Sequence, residues 1–224
     1  MLIQRNLHGT MAMPLPSNSP VSIAILAKAP IPGLAQTRLI PTSGAHAAAV
    51  LQERLTERAV TTALAANVGP VTLWCAPDYT HSTFLRLVAR LRITLKPQPQ
   101  GDLGARMLAA AAACNGPALV IGTDCPALTE VHLRGAADDL RDGTDVILIP
   151  ADDGGYVLIG TRSEQPALFA GIAWGTKTVL AETRARIIEN CLVLTECPPL
   201  WDVDTESDLA RLERAHPELL SWGE

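Results

Sequence analysis

Four short segments of this 224-residue sequence carry residue types that can bind phosphate, hold a hard cation or move a proton. An apolar run at residues 118–121 delivers Gly122-Thr123-Asp124-Cys125-Pro126. A second, at residues 146–149, delivers Pro150-Ala151-Asp152-Asp153-Gly154-Gly155-Tyr156. In an open α/β sheet ligands sit in the crevice outside the carboxyl ends of the strands, so acids there can reach a metal or substrate instead of filling core. Near the end of the chain, Asp202-Val203-Asp204-Thr205 adds two more acids. Carboxylates from separate regions can share one Mg²⁺ or Mn²⁺, which takes oxygen ligands and bridges to substrate phosphates. Asp124 and Asp204 are the metal-ligand candidates, although Asp202 or Asp204 can equally cap the last helix.

A cationic loop follows the first strand: Lys28, Pro30, Pro32, Gly33, Gln36, Thr37, Arg38 and Leu39. Two cations, a hydroxyl and flexible backbone amides can cradle a diphosphate, with Arg38 binding bidentately and Lys28 acting as a point charge. Lys28, Gly33, Thr37 and Arg38 are therefore expected at a nucleotide diphosphate. Gly101-Asp102-Leu103-Gly104 enters a helix, and Gly101 and Asp102 are expected at the nucleotide, where Asp102 would repel phosphate and suits a ribose hydroxyl or base; its structural alternative is a helix cap. Asp153 is the candidate base, since a carboxylate beside Gly154 and Gly155 has open surroundings and can take a proton. Tyr156 and Trp174 are candidates to wall an acceptor pocket, against the usual burial of large aromatics.

The elements that must position these residues follow from periodicity. Strands are expected at residues 21–27, 71–75, 93–95, 118–121, 146–149, 156–159 and 192–195. Helices are expected around residues 47–63, 82–90, 103–113, 130–140 and 177–188, and from Thr205 to about Ala215. In the first of these, Ala47, Leu51, Leu55, Ala59 and Ala63 recur every fourth residue while Glu53, Arg54, Glu57 and Arg58 form a solvated face. Thr129 is a candidate cap, and Thr205 with Asp208 has capping-box spacing. The alternation implies a mostly parallel sheet with helices on both faces.

Composition fits one domain, with 48% hydrophobic and 18% charged residues. Residues 1–20 read as a flexible tail and 21–224 as a single domain, with Met11 or Met13 as alternative starts. A net charge of -5 offers no general attraction to nucleic acid or anionic lipid. Five cysteines without C-x-x-C spacing fit reduced structural thiols in the cytoplasm. No apolar stretch has the length of a membrane-spanning helix.

Taken together, the blocks Lys28-x-Pro30-x-Pro32-Gly33 with Thr37-Arg38-Leu39, Gly101-Asp102-Leu103-Gly104-x-Arg106-Met107, Gly122-Thr123-Asp124-Cys125-Pro126, Asp153-Gly154-Gly155-Tyr156, Trp174-Gly175-Thr176 and Asp202-Val203-Asp204-Thr205 resemble a bacterial glycosyltransferase-like family. That family belongs to the nucleotide-diphospho-sugar transferase superfamily and is described as arsenosugar-biosynthesis-type or by a domain of unknown function. The resemblance spans about residues 23–212. It implies a three-layer α/β/α GT-A fold with a mixed, mostly parallel sheet, nucleotide in the amino-terminal half, acceptor in the carboxyl-terminal half, and dependence on Mg²⁺ or Mn²⁺. One departure is Gln36, where such proteins often carry Lys, which removes a cation from the loop.

The expected activity is transfer of a sugar from a nucleoside diphosphate sugar to a small acceptor. A nucleotidylyltransferase releasing pyrophosphate is the nearest enzyme alternative, against which the first loop lacks closely spaced glycines. A nucleotide-binding protein without turnover is the other. The Asp-x-Asp-x-Thr spacing also resembles the haloacid-dehalogenase nucleophile motif, but there it follows the first core strand and here it follows the last.

Overall fold

Continuous apolar runs become strands buried on both faces, and the amphipathic stretches become the helices that cover them. The computed structural model describes the backbone of residues 4–6 and the whole of residues 12–220. Its strands are β1 (Gln4–Asn6), β2 (Ser22–Lys28), β3 (Val71–Ala76), β4 (Thr94–Pro97), β5 (Ala118–Ile121), β6 (Val146–Pro150), β7 (Tyr156–Thr161) and β8 (Leu194–Glu196). Its helices are α1 (Ile40–Ser43), α2 (Ala45–Ala66), α3 (Ser82–Arg90), α4 (Leu103–Ala112), α5 (Glu130–Arg141), α6 (Val179–Glu189) and α7 (Glu206–Ala215).

One sheet runs β1-β8-β6-β7-β5-β2-β3-β4. The pairs β2–β3, β2–β5, β3–β4 and β6–β8 are parallel, whereas β7 is antiparallel to both β5 and β6, and β1 to β8. The short Asp-Asp-Gly-Gly turn explains β7: it is long enough for a hairpin and far too short for the crossover that a parallel partner needs. Because β7 alone reverses between β5 and β6, those two strands point the same way. Asp124 and Asp153 therefore leave the sheet at the same edge.

Alternate residues of each strand feed opposite cores. Leu119 and Ile121 pack with β2, β3, α2, α3 and α5 on one face, while Ala118 and Val120 pack with α4 and α6 on the other. Fully buried side chains such as Ile25, Leu119 and Ile147 each contribute roughly 1.5–3 kcal/mol, so the platform under the crevice is rigid. The α/β/α layering and the mixed sheet match the expected fold class. A third, smaller core joins Leu39, Leu51 and Leu55 to Trp201, Val203, Leu212 and Leu219, fastening the end of the chain to α2.

Some features were not in the expected pattern. The end of the cationic loop, expected to be irregular, forms a 3-10 turn (Thr37–Leu39) followed by α1. Pro41 sits in the first turn, where a missing N–H costs no hydrogen bond. Within the segment expected as a tail, Gln4–Asn6 pairs with Leu194–Glu196 and the Leu15 amide donates to the Arg141 carbonyl (2.7 Å). Residues 1–3 and 7–11, Met11 included, and 221–224 lie outside the described residues. Among the described residues no helix is long and apolar enough to cross a membrane.

Candidate active site

Along Trp201-Asp202-Val203-Asp204 burial alternates residue by residue. Trp201 and Val203 are buried in the third core, which turns Asp202 and Asp204 to the other side. The Val203 amide donates to the Asp124 carbonyl oxygen at 2.8 Å, and this contact delivers both acids to the end of β5. Helix capping is done by Thr205 and Asp208, whose Oδ2 accepts from the Thr205 amide at 2.7 Å, so neither Asp202 nor Asp204 is the cap.

The cationic loop meets the same place. Gly33 (φ +85°) and Gln36 (φ +47°) bend it back, and buried Ala35 and Leu39 pin it. Arg38 forms an ion pair with Asp204. Gln36 donates from Nε2 to Asp124 Oδ1 (2.9 Å), in the position where a lysine would have placed a charge. Thr37 lies exposed between them in the 3-10 turn. The Leu34 and Ala35 amides are engaged by the Ile31 carbonyl (3.0 and 3.1 Å), so these two, unlike the sequence expectation for the loop amides, do not face a diphosphate.

Lys28, at the end of β2, lines a cavity of about 290 Å³ that opens beside the ends of β2, β3 and β4, and its charge also acts on Asp124. Ala29, Ile31, Leu34, Ala76, Pro77, Gln98, Pro99, Gln100 and Arg106 complete its lining. Gln98 and Arg106 were not among the expected site residues. Gln98 Nε2 ties the Ala27 and Trp74 carbonyls together (3.0 and 2.9 Å), and Arg106 is braced by the Gly101 carbonyl (3.1 Å). Their signal in the sequence was position alone: Gln98 directly follows a strand, and Arg106 lies one turn into the helix after Gly101. Asp102 itself caps α4, its Oδ1 accepting from the Ala105 amide at 2.8 Å, which is the structural alternative weighed for it.

Electrostatics single out the acids. Burial pushes the Asp124 carboxyl above its usual range, with Asp204 adding to the rise; Thr123, Lys28 and Gln36 pull the other way. Asp202, absent from the expected site, is pushed up to about 7 by burial first and then by Asp153, Asp204 and Asp124. Asp153 therefore faces this cluster, and its Oδ1 accepts from the Gly155 amide (2.9 Å). Its neighbour Asp152 turns away to pair with Arg211 (3.1 Å). Asp153 is exposed, and Gly154 beside it has φ +94° and lies so close to the Lys177 carbonyl that an added Cβ would stand 2.4 Å from it.

Tyr156 and Trp174 are not brought to the acids. Both pack against the core beneath α4, the Tyr156 hydroxyl meeting Met107 Sδ at 4.0 Å and the Trp174 indole lying against Gly104. All five cysteines are free, and burial pushes the Cys75 and Cys125 thiols up to about 12, which removes them as nucleophiles at neutral pH.

A divalent metal fits this donor set. Among the described residues no three His, Cys, Asp or Glu side chains form a closed metal cage. Mg²⁺ commonly binds through one or two carboxylates together with substrate phosphates, and two crowded carboxylates beside Lys28 and Arg38 offer that partial set.

A family model described as "Uncharacterized protein conserved in bacteria (DUF2064)" matches residues 59–176, from the middle of α2 to the loop before α6. The chain belongs to this family. No curated protein matches it. Among solved structures, this DUF2064 member is similar to a proposed nucleotide-diphospho-sugar transferase from Desulfovibrio desulfuricans G20, at 27% identity, 88% coverage of each chain and TM-score 0.78. A nucleotidyl transferase from Methanothermobacter thermautotrophicus is 17% identical, with 90% of this chain and 99% of that one covered and TM-score 0.59. A manganese complex of Rv0371c from Mycobacterium tuberculosis H37Rv is 19% identical, with 88% and 100% covered and TM-score 0.51. The latter two show the fold alone. The DUF2064 chain thus has the fold of the nucleotide-diphospho-sugar transferases.

The proton held by Asp202 makes stability depend on pH. The folded state keeps it up to about 7, whereas the ordinary value is 3.8. Its stabilising contribution is complete below the lower value and is lost as pH rises to the higher one. Melting temperature should therefore drop between about pH 5 and about pH 8 by less in Asp202→Asn than in wild type, measured without divalent metal. Equal drops in the two proteins would place the titration elsewhere.

Proposed function

We propose that this protein is a divalent-metal-dependent glycosyltransferase that moves a sugar from a nucleoside diphosphate sugar to a small acceptor. The observation that carries the reading is the docking of Val203 on Asp124, which sets Asp202 and Asp204 against Asp124, Lys28 and Arg38. The likeness to the Desulfovibrio protein supports the nucleotide-sugar donor, and the manganese bound by the Mycobacterium protein supports the metal.

In this reading residues 21–224 act as one catalytic domain, and the 290 Å³ cavity takes the nucleoside, with Arg106 and Gln98 beside it. Asp124 and Asp204 hold the ion. When bound there, Mg²⁺ or Mn²⁺ supplies positive charge against the departing diphosphate. Lys28 adds fixed charge on the cavity side, and Arg38 exchanges its ion pair with Asp204 for the diphosphate. Asp153 takes the proton from the acceptor hydroxyl as the acceptor oxygen bonds to the anomeric carbon. The bond from that carbon to the diphosphate breaks, and the nucleoside diphosphate leaves with the electron pair.

A thermal-shift panel of nucleoside diphosphates, their sugars and nucleoside triphosphates, each with and without Mn²⁺, tests this. Ligand at 100 times its Kd adds about 2.7 kcal/mol of stability. A Mn²⁺-dependent shift by one diphosphate sugar, followed by transfer of its sugar to an acceptor, is the expected result. A shift confined to triphosphates, with pyrophosphate release, would replace the reading with nucleotidylyl transfer.

A further inference from the structure

The inner face of α2 carries two polar residues where the surrounding positions are apolar. Gln52 is 3% exposed and Thr56 fully buried, next in sequence to Leu51 and Leu55 of the third core. A buried amide costs stability unless every donor and acceptor is matched, and here each is. Gln52 Nε2 donates to Thr56 Oγ1 (3.2 Å) and Thr123 Oγ1 (3.0 Å), while its Oε1 accepts from Gln36 Nε2 (3.2 Å). Thr56 spends its own proton on the Gln52 carbonyl (2.7 Å), so it can only accept from the Gln52 side chain.

These bonds fix the direction of the next ones. Thr123 Oγ1 accepts from Gln52, and its single proton goes to Asp124 Oδ1 (3.0 Å). Gln36 has one amide hydrogen on Gln52 and gives the other to the same Oδ1 (2.9 Å). The four side chains close a ring in which Oδ1 accepts twice and Oδ2 of Asp124 is the oxygen the ring does not use.

We infer that Gln52 is a positioning residue for the metal carboxylate: through Thr123 and Gln36 it locks Asp124 with Oδ1 held by protein and Oδ2 presented to the divalent ion, without touching ion or substrate itself. This rests on the metal-dependent reading above. It also gives a role to the glutamine at position 36, since an amide can serve Gln52 and Asp124 at once whereas an ammonium could not present the same neutral donor to both without bringing a charge into the ring.

The test is Mn²⁺ affinity of the full chain, read from the electron paramagnetic resonance signal of free Mn²⁺ in titrations of wild type, Gln52→Leu, Thr123→Val and Thr123→Ser, with melting temperatures as the fold control. Partners that orient a metal ligand change affinity by about 10–100-fold. Gln52→Leu and Thr123→Val should weaken Mn²⁺ by that factor, and Thr123→Ser, which keeps the hydroxyl, should stay close to wild type. If Gln52→Leu fails to fold, the Thr123→Val and Thr123→Ser pair decides alone. Folded variants that all bind within about twofold of wild type would overturn the positioning role and leave the metal reading standing. Wild type without measurable Mn²⁺ binding, alone and with a nucleoside diphosphate, would overturn both.

Discussion

Asp124→Asn should lower sugar transfer by about 10²–10³-fold and erase the Mn²⁺-dependent part of donor binding, while the protein melts at the same temperature or higher. The two effects have one cause. Asparagine preserves an oxygen that accepts from Gln36 and Thr123, so the ring under the site survives. What disappears is a charge whose carboxyl is already pushed up by burial and by Asp204, so its removal relieves the folded state. Loss of activity with loss of fold would make Asp124 a structural residue; retained Mn²⁺ dependence would move the ion elsewhere. The comparison is steady-state transfer and Mn²⁺ titration against thermal melts of the same samples.

Asp153→Asn should cost about 10²-fold or more in turnover with donor affinity unchanged, because general base catalysis contributes typically 10²–10⁴-fold and the donor does not contact the base. Asp152→Asn provides the internal comparison. These neighbours differ in their surroundings: Asp152 is paired with Arg211, whereas Asp153 faces the acids of the crevice. A turnover loss in Asp152→Asn equal to that in Asp153→Asn would assign the effect to the turn as a whole. Full turnover in Asp153→Asn would remove it as the base. The measurement is kcat at saturating donor and acceptor, with donor Kd determined separately.

What distinguishes this site is a group of crowded carboxylates held in a rigid frame. Asp124 is fixed by backbone and side chain, and Asp202 and Asp204 are fixed through Trp201 and Val203 in a core of their own. Arg38 lies on Asp204 and Gln36 on Asp124, so the loop after β2 covers both acids.

The order of strands and helices was legible in the sequence because it rests on local periodicity. The apolar run of β5 and the helices α3 and α5 begin where expected, since runs, caps and turns are set by neighbours along the chain. Thr205 with Asp208 was likewise readable as a capping box, and its presence freed Asp204 from that duty. The alternation of Trp201, Asp202, Val203 and Asp204 held the signal for Asp202 too, because residues two apart in extended chain share a face. The partner of that face was not in the local sequence. Only the tertiary structure decided that the Val203 amide reaches Asp124, that Asp202 keeps its proton to about 7, and that Gln52 orients a carboxylate from 72 positions away. It also placed Tyr156 under α4 and set Gly154 against the Lys177 carbonyl. Each of these depends on which distant surfaces exclude water together, a property of the packed whole that no window of sequence contains.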